Sequence, residues 1–134
     1  LNEGKKMSYY FSVILSESFD KTIDRVKEEL QKEGFGVLTE IDVKETLKKK
    51  LDVDYPKYRI LGACNPPFAY KALSVEDKIG TMLPCNVIVQ EKEDGFVEVA
   101  AIDPMASMQA VENEALADIA GDVRNKLKNV INNL

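Results

Sequence analysis

Histidine is absent from all 134 residues. That removes the Ser-His-Asp and Cys-His nucleophiles, the Cys/His zinc finger and the imidazole proton shuttle. Any acid, base or nucleophile must then be a carboxylate, Lys, Tyr or Cys. Long apolar runs are also lacking. None approaches the ~20 residues that cross a bilayer, and Leu1 to Lys6 has no signal-peptide stretch, so the expectation is a cytoplasmic chain with no membrane partner. Basic charge is in deficit, 18 Lys and Arg against 23 Asp and Glu, for a net charge of −5. This opposes the counterion release that drives nucleic-acid binding, so no nucleic-acid partner is expected. The one dense basic run, Lys48-Lys49-Lys50, has Glu45 and Asp52 beside it and reads as a solvated helix face. Cysteine is scarce, at two residues. Without export signals, both are expected as free thiols.

What is present describes a globular domain. Hydrophobic residues make up 45% and charged residues 31%, the balance of a chain with a packed core. The length suits one domain, assigned to 8–134, with 1–7 read as a leader because Met7 opens the first strand-like segment. Tyr9 to Leu15 is aromatic and β-branched, hence a strand. Ser18 then caps a helix with Phe19, Ile23, Val26 and Leu30 on one face, ending at Gly34. In the second strand Phe35, Val37, Thr39 and Ile41 alternate with Gly36, Leu38 and Glu40. Asp42 and Glu45 resemble a capping box for a short Lys-rich helix with Leu47 and Leu51 on one face. Tyr58 to Cys64 is the third strand, with Cys64 on the face opposite Ala63. Asn65 followed by Pro66-Pro67 predicts a helix capped by Asn65, with a further turn from Ser74 and Asp77 to Gly80.

Cys85 to Glu91 is the fourth strand, Asp94-Gly95 a tight hairpin, and Phe96 to Ile102 its partner. Asp103-Pro104 then predicts one long helix to about Leu134, with Leu116, Ile119, Val123, Leu127, Val130 and Ile131 on its buried side. The implied class is α+β: a two-layer β-α-β(4)-α order, with a mainly antiparallel sheet of about five strands covered on one face by helices.

The most chemically suggestive feature is a pair of Cys-Asn dipeptides, Cys64-Asn65 and Cys85-Asn86. If strands three and four are antiparallel neighbours, the end of one lies beside the start of the other and the cysteines meet. Cys64 precedes a helix N-terminus, where a thiolate is favoured, and directly opposed cross-strand residues approach disulfide range. The alternative is that both are small buried hydrophobes. A metal would need ligands beyond the pair, and the spacing of the cysteines matches no metal knuckle. Other groups carry less. Glu112 and Glu114 lie on a helix surface, and Asp103 is used as a cap. Gly34-Phe35-Gly36 lacks the form of a nucleotide loop. Met105, Met108, Tyr9, Tyr55, Tyr58 and Tyr70 read as core or interface packing.

Gly62-Ala63-Cys64-Asn65-Pro66, then Leu83-Pro84-Cys85-Asn86-Val87-Ile88-Val89, then Ile102-Asp103-Pro104 together resemble the family called domain of unknown function 302, over roughly Ser8 to Leu134. The resemblance implies a β-α-β(4)-α domain of the architecture seen in the TATA-binding-protein saddle. It implies no activity and no catalytic residues.

The leading expectation is a non-catalytic domain without a cofactor. It would bind a small molecule or a protein partner at the edge formed by Cys64, Asn65, Pro66, Cys85 and Asn86, as a homodimer. A thiol-based redox or soft-metal protein using Cys64 and Cys85 is the alternative, and a structural or assembly module the third.

Overall fold

A computed structural model describes residues 8–134; the leader assigned to 1–7 lies outside the described residues. Strand β1 (Tyr10–Leu15) leads to helix α1 (Phe19–Lys32), β2 (Gly36–Asp42), α2 (Val43–Leu51) and β3 (Tyr58–Cys64). Helix α3 (Pro66–Val75) and a 3-10 turn, Asp77–Met82, precede β4 (Cys85–Glu91) and β5 (Val97–Ile102). The short α4 (Pro104–Ser107) and α5 (Glu114–Asn132) close the chain. The five strands form one antiparallel sheet in the order β1-β5-β4-β3-β2, so β2 to β5 are a meander and β1 adds to its far edge.

Helices cover one face of this sheet. Ser18 Oγ accepts from Lys21 N–H to start α1, and Gly34, at φ +87°, ends it in a conformation that glycine adopts without strain. Phe19, Ile23, Val26 and Leu30 then meet Leu61, Val87, Val89 and Val99 from the sheet and Val123, Leu127, Val130 and Ile131 from α5. A smaller cluster joins Ala72 of α3, Ile79, Met108, Leu116 and Ala120. Fully burying one such aliphatic side chain is worth ~1.5–3 kcal/mol, so these clusters fix the helices to one side.

Three local expectations change. The single long final helix is two: α4 stops at Ser107, and α5 begins after Asn113, whose Oδ1 accepts from the Ala115 and Leu116 N–H groups. The Asn113 amide also donates to the Val75 carbonyl, tying the break to the end of α3. In β2 the register shifts between Val37 and Thr39. This bulge splits the predicted face, so Phe35 and Val37 pack on the core while Thr39 and Ile41 pair with Gly62 and Ile60 on the outer side. The turn after α3 runs past Gly80 to Met82. Among the described residues, no helix is long and apolar enough to cross a membrane.

Candidate functional site

The antiparallel pairing of β3 with β4 brings the end of one beside the start of the other, but one residue out of the register that would oppose the thiols. Cys85 faces Ala63. Pleating sends alternate residues to opposite faces, so Cys85 turns toward the helices with Ala63 while Cys64 leans to the outer face. Both are free thiols. Cys85 is 8% exposed. Burial, and secondarily the neighbouring Cys64, pushes its thiol up to about 11, because a thiolate there would lose its hydration.

Asn65 starts α3 by position only. Its side chain makes no capping bond; Nδ2 instead donates to the Glu33 carbonyl at 3.1 Å, holding the end of α1 against the β3–α3 corner. The reason is proximity: the Gly34 turn brings a free carbonyl within reach, and a Cβ on Gly34 would sit 3.0 Å from that same Nδ2. Pro66 supplies the first helical residue in place of a side-chain cap.

Cys64, Asn65 and Cys85 line one cavity of about 230 Å³, with Phe35, Ala63, Leu83, Pro84 and Val123 among its other walls. Pro84, after a cis peptide, also crosses the outer side of the sheet over Gly62. A Cβ on Gly62 would collide with Thr39 Oγ1 and come within 2.8 Å of Pro84 Cγ. Asn86 and Pro66 are not part of this cavity. Pro66 is exposed on the first turn of α3, and Asn86 opposes Gly62 on the outer face. There Asn86 borders a separate groove of about 440 Å³ with Tyr9, Tyr58, Ile88, Gln90 and Glu98. Burial raises the Tyr58 hydroxyl above its ordinary value, with Tyr55, Tyr9 and Glu98 adding to the effect.

Among the remaining candidates, Asp103 does cap α4, accepting from Met105 N–H at 3.0 Å, and it also accepts from Arg124 Nε at 3.2 Å. Met108 is buried in the smaller cluster, Met105 is half exposed, and Tyr70 projects from α3. No group of three or more Cys, Asp or Glu side chains with metal-holding geometry occurs among the described residues. Phe35, Leu83, Pro84 and Val123 complete the cavity walls and lie outside the site residues expected from the sequence. Leu83-Pro84 stood next to Cys85 in the motif, whereas Val123 comes from the distant α5 and left no local signal.

The family model described as domain of unknown function DUF302 matches residues 11–134. An uncharacterized protein of Aquifex aeolicus (strain VF5) is 31% identical over 86 residues, covering 55% of this chain and 60% of that protein. The chain thus matches less than two thirds of that relative's length. A crystal structure of an uncharacterized conserved protein, DUF302, from Bacillus stearothermophilus superposes with a TM-score of 0.87 at 30% identity, over 94% of this chain and 98% of that one. The fold, the linked motifs and these matches agree: the chain belongs to the DUF302 family.

Proposed function

We propose that the domain binds a small apolar molecule in the cavity between Cys64, Asn65 and Cys85, without turning it over. The observation carrying this reading is the cavity itself. Sequence-distant motif residues converge on an apolar space of about 230 Å³, somewhat larger than the ~150 Å³ that accepts benzene in an engineered core and below the usual ~300–1,000 Å³ of drug-sized sites. A single ring system or the end of an acyl chain is the matching ligand class. The state of Cys85 speaks for this reading over thiol chemistry. A thiol pushed up to about 11 stays protonated near neutral pH and is a poor nucleophile, and Ala63 rather than Cys64 stands opposite it.

Titration with indole, followed by amide chemical shifts, tests the reading. Shifts confined to Cys64, Asn65, Cys85 and Val123, lost in Ala63→Phe, are the expected result. Shifts scattered over the surface, or none at millimolar indole, would remove the cavity as a site.

A further inference from the structure

Among the described residues, two surfaces are only partly covered from within the chain. One is the outer face of the sheet. There Ile41, Ile60 and Ile88 stand in register with the already buried Ala100 across four strands, flanked by Tyr10 and Ile14. Ile14 is 59% and Ile41 47% exposed. The other is the segment from Val43 to Lys57, α2 with its following loop, in which no residue is buried and Leu51 is 66% exposed. A short helix without a buried side gains little from propensity alone and takes its stability from packing. The loop after α2 runs along the outer face, with the Tyr55 ring 6.2 Å from that of Tyr58, and Pro56 shares a groove with Ile14 and Gln90.

We infer that a second copy of this chain covers both surfaces at once, the two sheets stacking outer face to outer face with α2 of each protomer lying over the β1–β5 side of the other. The symmetry follows from where α2 sits. It leaves the sheet at the β2 edge, at the end where β4 turns into β5. A twofold axis along the strands, midway between two stacked sheets, returns α2 to that same end above the opposite edge. Ile14 and Phe96 are exposed there, beside Glu93 and Glu98.

The charges match. The segment Val43 to Lys57 carries five lysines against Glu45, Asp52 and Asp54, or +2, and because Asp52 and Asp54 pair with Lys48, the lysines without an acidic partner among the described residues include Lys49 and Lys50. The β4–β5 hairpin carries Glu91, Glu93, Asp94 and Glu98 against Lys92, or −3. Such complementarity fixes register and orientation in an interface. The area matches as well. Five strands ~4.8 Å apart and ~20 Å long project roughly 480 Å², and α2 adds roughly 140 Å². Accessible area exceeds a flat projection, which brings the pair to the ~800 Å² per partner of a stable complex.

Sedimentation velocity and native mass spectrometry of the unaltered chain test the inference, with a mass twice 15.0 kDa expected. Ile88→Asp should give a monomer with unchanged circular dichroism. Because that variant places a charge on the sheet, Lys49→Glu with Lys50→Glu serves as the surface control. It should weaken the dimer about tenfold at low salt, with recovery when Glu93→Lys and Asp94→Lys are added. A monomer over the micromolar to submillimolar range, a monomer holding a co-purified small molecule on that face, or a dimer indifferent to the lysine reversal would each overturn it.

Discussion

The two faces of the sheet are built from neighbouring residues of the same strands yet meet different fates. In β3, Leu61 is completely buried under α1 and α5 while Ile60, one residue earlier, looks outward and is only partly buried. In β4, Val87 and Val89 are buried where Ile88 is only partly so. Apolar content alone therefore does not say which face a protein covers with its own helices. The difference is connectivity: the helix following β1 and the helix following β5 both fold onto the Leu61 side, and the short α2 cannot span the other.

Substitution at these adjacent positions breaks the comparison most sharply. Leu61→Ala should cost about 2–5 kcal/mol in urea unfolding, since it opens a cavity under α1 and α5. Ile60→Ala, measured at a concentration where the chain is monomeric, should cost under about 1 kcal/mol. Equal losses would mean that the outer face is packed within the protomer. The second difference lies in the buried thiol. Its folded value of about 11 stands above its ordinary 9.0, so between those values the unfolded chain releases a proton that the folded chain keeps. Stability then falls as pH rises, by up to about 2–3 kcal/mol near pH 11. Cys85→Ala should remove that component of the alkaline slope, and an unchanged slope would show the thiol to be solvated.

The smallest effect sits at the rim of the covered face. Hydrogen bonding to Lys27, opposed by partial burial and helped by Arg59, holds the Glu40 carboxyl below its ordinary 4.5. Its contribution is present above that value and is lost as pH falls through the lowered one. The pair is partly exposed, so roughly 0.5 kcal/mol or less is expected. Lys27→Ala should flatten the acid limb by that amount, and a larger change would show the rim to be drier than its exposure indicates.

Much of the fold was legible because local signals agreed with tertiary demand. The Phe19-Ile23-Val26-Leu30 stripe and the Asp103-Pro104 cap appear where the residues place them, while the Asp94-Gly95 hairpin is wider than the tight turn expected, with a 3-10 turn at Glu93–Gly95 and β5 starting at Val97 rather than Phe96. Two misses come from signals of equal local weight. Asn113 is as good a cap as Ser18, but an otherwise continuous apolar stripe masked the break before α5. The bulge at Leu38 carries neither glycine nor proline, so strict alternation through β2 was the natural reading. At the cysteine edge, strand order was readable while register was not. A shift of one residue exchanges faces, and it sets Ala63 rather than Cys64 opposite Cys85, although both thiols still border one cavity. Asn65 likewise had two available partners, and only the path of α1 decided for the Glu33 carbonyl.

The strand order also has a bearing on synthesis. Tyr10 pairs with Ile102, and every hydrogen-bonded neighbour of β1 lies in β5. The meander from β2 to β5 closes as each strand emerges, but among the five strands β1 is made first and its partner last. For that whole interval Tyr10–Leu15, a segment with no charge and no proline, has the composition that pairs with other chains. Its long-range closure also pays the largest loop entropy in the sheet before any pairing is returned. Of the five strands in this topology, the first to be synthesised is thus the one that waits longest for its partner.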